Sequence, residues 1–236
     1  MECTYSNEAS SAQQYVAAES NGQLNFIQAG WMINMNLFGD ARTWTFASWK
    51  GAKGAGCYNT QCKGFVQVAK DNPLSEPMEI TDDSIIRFTI HQDKTSGNWW
   101  ITQMFKDSSV SDMGYWPKEL FNLIGDGAQM VGFSGMVSAP PNTPSPPMGN
   151  GNRPKYDDPY HSGFFNNLQI MGNDYSLDRA DMFPLKRLVD SDQCYGLDYA
   201  GHDNPNVGVY SKYGGPRRKS MRCLGLHLII RFPKFP

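Results

Sequence analysis

A period of two in the apolar residues constrains this chain more than any other feature. "TWTFASW" (Thr43 to Trp49), "IIRFTIH" (Ile85 to His91) and "GNWWITQMF" (Gly97 to Phe105) alternate in this way, and Gly, Pro, Asn or Asp bound each run. Successive side chains of an extended backbone point to opposite faces, so such runs are half-buried strands. The alternation sends Trp44 and Phe46 to one face of the first run, and Ile86, Phe88 and Ile90 to one face of the second. "GFVQVA", "FFNNLQIMG" and "NVGVYSK" are further short runs of the same kind. Many short strands between turn residues give an all-β fold, an antiparallel sandwich or barrel. One short helix is expected, near residues 117–124 in "YWPKELFNLI". Pro117 sits just inside its start, Leu120, Phe121 and Ile124 share a side, and Gly125 ends it. The prolines of "SAPPNTPSPPMGNGNRP" (Ser138 to Pro154) exclude regular structure, leaving a linker or an ordered surface loop beside a site.

A length of 236 residues suits one large all-β domain or two small ones. Only 40% of residues are apolar, but 13% are aromatic, and aromatic side chains bury enough area each to build a sizeable core. Charge is sparse and nearly balanced, net −2, which argues against nucleic acid or another polyanion as partner. No apolar run approaches the roughly 18 residues of a membrane span. Of the five cysteines, Cys57 and Cys62 bracket a tight loop whose spacing fits neither a redox CxxC nor a zinc site, so a local disulfide is the better reading. Cys194 and Cys223 would then pair, leaving Cys3 odd. Disulfides point to an oxidising compartment. The stretch "MECTYSNEASSAQQ" has no basic n-region and no apolar h-region, so it is not a signal peptide. The expectation that reconciles the two is a fragment of a longer precursor, or a truncated descendant of a secreted ancestor.

No GxSxG, HExxH or phosphate-loop motif stands in the chain. The four histidines, His91, His161, His202 and His227, are scattered, and the sequence calls for no metal and no cofactor. "GFSGMV" has a serine between glycines but not the spacing of a nucleophile elbow. The doublets Trp99–Trp100 and Tyr115–Trp116 are core by default. Alternation nonetheless turns one of each outward, where it could line a groove for carbohydrate or proline-rich peptide.

Taken together, "IQAGWMINMNLFGDARTWTFASW", "GCYNTQCKGFVQV", "SGNWW", "GYWPKELF", "GFSGMV" and "YGGP" resemble the ordered landmarks of the neprosin domain. The resemblance covers residues 5–223 and leaves 224–236, "LGLHLIIRFPKFP" from Leu224 onward, as an atypical C-terminal extension. It implies a β-sandwich of two antiparallel sheets, and disulfides matching Cys57–Cys62 and Cys194–Cys223. It also implies a plant protein that is secreted, extracellular or vacuolar, whose precursor carries a signal peptide and a propeptide. The family's characterised activity is that of a glutamic endopeptidase, acting in acid and cleaving at proline.

That chemistry uses two glutamates across a groove. One, ionised, takes a proton from the attacking water; the other, protonated, supports the oxyanion and the leaving amine. The first glutamate precedes "AGW" and the second sits in a "WGGEV"-like strand. Here those positions are Gln28, in "IQAGW", and Met136, in "FSGMV". An amide still donates and accepts hydrogen bonds but is no general base, and a thioether does neither acid nor base work. Each lost proton-transfer group costs about 10²–10⁴ in rate. Glu8, Glu19, Asp40 and Asp126 are nearby carboxylates, none at a matching position. The expectation is an inactive relative that keeps a groove for extended proline-containing peptide, with Trp31, Trp49 and Trp100 lining it. The rivals are an acid peptidase with a substitute carboxylate and a sandwich that binds cell-wall polysaccharide.

Overall fold

The computed structural model describes residues 7–81, 84–155, 161–172, 174–190, 192–200, 208–217 and 225–231. Its strands are β1 (Ala9–Ser20), β2 (Gln23–Asn34), β3 (Trp44–Lys50), β4 (Gly56–Tyr58), β5 (Val66–Gln67), β6 (Arg87–Gln92), β7 (Trp99–Met104) and β8 (Val110–Trp116). They continue as β9 (Met130–Ser138), β10 (Gly163–Phe165), β11 (Gln169–Met171), β12 (Leu177–Arg179), β13 (Leu185–Val189), β14 (Gly196–Ala200), β15 (Tyr210–Gly214) and β16 (Gly225–Arg231). The fold is an all-β antiparallel sandwich, as the alternation requires. The chain divides into two compact units, and β1, β2 and β9 contribute residues to both.

The first unit holds residues 1–12, 32–41 and 132–231. Here the strand order runs β13-β16-β9-β1-β2, beside a three-stranded sheet β10-β15-β14 and the hairpin β11-β12. Its core contains a ladder of rings. Phe133 of β9 lies 6.0 Å from Phe165 of β10, which stacks at 4.6 Å on Tyr213 of β15. Burial pushes the Tyr213 phenol well above its ordinary pKa, so it stays neutral. The proline-rich stretch is an ordered loop of this unit. Ser145 and Met148 are fully buried, and the Tyr195 hydroxyl donates to the Pro146 carbonyl at 2.7 Å. A single helical turn, Met35–Phe38, is capped by Asn34, whose side chain accepts from the Leu37 amide. The apolar run near the C-terminus forms β16, which pairs antiparallel with β13 from Leu185↔Ile230 to Val189↔Leu226.

The second unit holds residues 13–31, 42–131 and 232–236. One layer runs β1-β2-β3-β4 and the other β5-β8-β7-β6. Between them lie Val16, Ile27, Ala47, Trp49, Phe65, Trp99, Ile101, Met113, Trp116 and Ile124. The doublets divide as alternation demands: Trp99 and Trp116 point inward, while Trp100 and Tyr115 are only half-buried. β3 departs from simple alternation. Thr45 to Trp49 are all buried, so both faces of this strand are covered. Cys57 and Cys62 form the expected disulfide. Cys194, in the first unit, is also disulfide-bonded; its expected partner Cys223, like Cys3, lies outside the described residues.

β1 and β2 are joined by Asn21 and Gly22, both at positive φ (50° and 73°). Asn-Gly is the pair that a two-residue hairpin turn favours. The helix of residues 117–124 is reduced to one 3₁₀ turn, Lys118–Leu120, with Phe121 already extended. The reason lies in its hydrogen bonds. The amides of Asn122 and Leu123 donate to the side chain of Asn25, each at 2.9 Å, and the Ile124 carbonyl accepts from the Trp99 indole at 2.8 Å. Backbone groups that a longer helix would pair internally are taken by side chains from β2 and β7. Asn25 is itself 1% exposed. Asn25→Ala should therefore strand two amides and lower stability by about 2–4 kcal/mol, measured by urea unfolding.

Candidate functional site

Gln28 belongs to the second unit and Met136 to the first, so each is described in its own surroundings. On β2, Asn25, Ile27 and Ala29 are buried, whereas Leu24, Phe26 and Gln28 are half-buried. Gln28 thus stands in the more open of the two rows, with apolar neighbours two and four residues back. Its side-chain amide donates to the hydroxyl of Ser48 on β3 at 2.9 Å. Ser48 is 4% exposed and lies next to Trp49. Trp49 faces the interior, edge-on to Phe121 at 5.9 Å. Gly64 fits against its ring: a Cβ there would lie 2.4 Å from Trp49 Cζ2. Trp49 is therefore a core residue and not a groove lining, because both faces of β3 are covered. Its inward ring fixes the opposite direction for Ser48.

Met136 is 38% exposed on β9, between buried Gly135 and Val137. Gly135 is the determinant here. A Cβ at that position would lie 2.8 Å from Met148 Sδ and 2.9 Å from the Tyr213 ring. Only glycine lets β9 lie this close to the rings, and the next residue must then point away from them. The Met136 carbonyl accepts a long hydrogen bond, 3.5 Å, from the Ser11 hydroxyl. The thioether has neither a proton to give nor the charge to take one.

A family model for neprosin matches residues 6–216. The chain belongs to the neprosin family. The neprosin match ends before β16, so the strand that pairs with β13 lies beyond the matched region.

Of the aromatic residues expected to line a groove, Trp31 is half-buried three residues beyond Gln28 on β2. Trp100 belongs to β7, in the other layer of the second unit, half-buried and beside Tyr115 at 4.9 Å. Ser48 was missed from the sequence. Only its place one residue before an inward tryptophan, in a strand pairing in space with β2, could have revealed it. Among the nearby carboxylates, Glu8 is 1% exposed and is held by both ends of the Arg217 guanidinium, at 2.5 and 2.8 Å. Both oxygens of this carboxylate are thus committed to the guanidinium. Glu19 and Asp126 are exposed. No helix among the described residues is long and apolar enough to cross a membrane.

The Gln28–Ser48 contact suits a carboxylate as well as an amide, because the hydroxyl can rotate from acceptor to donor. Gln28→Glu should fold with stability within about 1 kcal/mol of the parent at neutral pH. Adding Ser48→Ala should cost about 1.5–3 kcal/mol in the Gln28→Glu background but only about 0.5–1.5 in the parent, since hydrogen bonds to charged groups are the stronger. A double-mutant cycle by urea unfolding measures the difference.

Proposed function

We propose that this neprosin-family domain has no peptidase activity and binds extended, proline-containing peptide. The observation that carries the reading is the pair of residues at the two dyad positions, Gln28 and Met136, neither of which can transfer a proton. Three features support it. The Gln28 amide is held in place by Ser48, leaving its oxygen to orient a peptide N–H. The Met136 side chain is exposed and apolar, suited to packing on a proline ring. The buried carboxylate nearest in sequence to the first position among those weighed as substitutes, Glu8, is committed to Arg217. Peptide would lie extended, its backbone along strand and its prolines against apolar side chains such as Trp31.

The reading includes the family's setting, a secreted plant protein. The Cys57–Cys62 bond supports this, because such bonds persist in oxidising compartments. It also takes 5–223 as one neprosin-like domain, followed by an extension, 224–236, whose strand is built into the first unit. Cell-wall polysaccharide, the other class of partner, bears on a different face and is taken up below.

The test is cleavage of a proline-rich peptide from acid to neutral pH, read by mass spectrometry, with the parent beside the double variant Gln28→Glu, Met136→Glu. The parent should leave the peptide intact while binding it in a fluorescence anisotropy titration. The double variant should cut after proline in acid. Cleavage by the parent at proline would mean that another carboxylate carries the chemistry. Thermal unfolding of both proteins separates a silent variant from an unfolded one.

A further inference from the structure

The outer face of the four-stranded sheet carries Trp100, which the sequence assigns to the peptide groove but which lies in the other layer of the second unit from Gln28 and Trp31. Strand registers place Val66, Tyr115, Trp100 and His91 in one row across β5, β8, β7 and β6. The rings of Trp100 and Tyr115 lie 4.9 Å apart with 36° between their planes, and both side chains are half-buried. The next outward row consists of Thr89, Thr102 and Asp112. It lies two residues along the strands, about 6.8 Å away. There the Thr102 hydroxyl donates to the Asp112 carboxylate at 2.7 Å, in the open.

This second row depends on an irregularity. The register of β7 with β8 shifts between Ile101 and Thr102, so that Ile101 faces Gly114 and Thr102 faces Asp112. Met113 is the extra residue. It turns inward and is fully buried in the core. On an unbulged strand with Tyr115 outward, Met113 would also face outward and Asp112 inward. The bulge therefore exchanges an exposed methionine for an exposed carboxylate beside the aromatic pair. Bulges re-aim side chains in this way next to functional sites. The core beneath cannot shift to undo it: a Cβ on Gly114 would lie 2.2 Å from the Val66 carbonyl oxygen and 2.5 Å from the Phe65 ring.

We propose that this face binds carbohydrate, stacking one pyranose ring of a β-linked polysaccharide on Trp100 and Tyr115 while the Asp112 carboxylate and the Thr102 hydroxyl oxygen accept hydrogen bonds from the sugar's hydroxyl edge. A pyranose has an apolar C–H face and a polar rim about one ring-width apart, and the two rows present that division in the same order. Burial holds the His91 imidazole below its ordinary pKa, against the pull of Asp112 and Asp93, so it is neutral at neutral pH and adds no charge to the row. An uncharged, polyhydroxylated ligand fits that balance. The site goes beyond the peptide reading and does not depend on it, because Gln28 and Met136 take no part.

The test is isothermal titration of the full chain with cellohexaose, xylohexaose and mannohexaose, and separately with the proline-rich peptide. At least one hexasaccharide should bind. Trp100→Ala and Tyr115→Ala should each weaken it about tenfold, the loss expected for one stacking contact. Asp112→Asn should weaken it several-fold, Trp100→Phe should keep most of the affinity, and Gln28→Ala should leave it unchanged. Should Trp100→Ala fail to fold, Tyr115→Ala and Asp112→Asn still decide the matter. The proposal is overturned if no hexasaccharide binds the parent at millimolar concentration. It is also overturned if binding persists undiminished in Trp100→Ala, Tyr115→Ala and Asp112→Asn, or if those variants lose the peptide and not the sugar. The peptide reading is judged separately, by the peptide titration of the parent and its loss in Gln28→Ala.

Discussion

Large rings laid against glycines set the direction of Ser48, Tyr115 and Met136. Trp49 lies on Gly64, Phe65 under Gly114, and Tyr213 on Gly135. In each contact a Cβ would meet the ring at 2.4 to 2.9 Å, closer than carbon atoms pack. The strand can approach only where glycine stands, and the period of two then decides the neighbours. Trp49 inward means Ser48 toward the other face, where it holds Gln28. Gly114 over Phe65 puts Tyr115 outward, and Gly135 over Tyr213 does the same for Met136. A cavity or a slip at any of these contacts would re-aim a working residue rather than merely loosen the core.

Much of this could be read from the residues. The alternation in "GNWWITQMF" separates Trp99 from Trp100 as found, because a strand covered on one face must sort its side chains. "TWTFASW" gave the strand but not its setting. With both faces covered, alternation carries no information about which ring is hidden, and Trp49 was misjudged for that reason. The helix expected near 117–124 is present but held to the turn Lys118–Leu120, because local spacing cannot register a distant competitor. Asn25, about a hundred residues earlier, takes two of its amides. β1 is poor in large apolar residues and gives little periodic signal. The bulge at Ile101/Thr102 left no trace in composition, since it follows from where the core accepts Met113.

On the proposed reading Gln28 and Met136 stand at the dyad positions, and little in the scaffold has to change for the chemistry to change. Gln28 is nearly isosteric with glutamate and keeps a contact that a carboxylate could also make, yet it has no titration in the working range. Met136 occupies a position where the backbone direction is already fixed by its glycine neighbour, so the side chain there is free to vary without disturbing the ring ladder beneath. The fold stores geometry in glycines and rings, and on that reading the chemistry rests on the side chains those contacts aim.

β16 adds a condition of timing. Its partner β13 is made earlier, and β14 and β15 are threaded between the two in sequence. Because β16 lies between β13 and β9, until residues 225–231 leave the ribosome β13 lacks this partner and β9 keeps an open edge. Sheet completion in the first unit thus depends on a strand beyond the neprosin-matching region, so a chain cut after residue 216 would keep that region whole and leave its sheet unfinished.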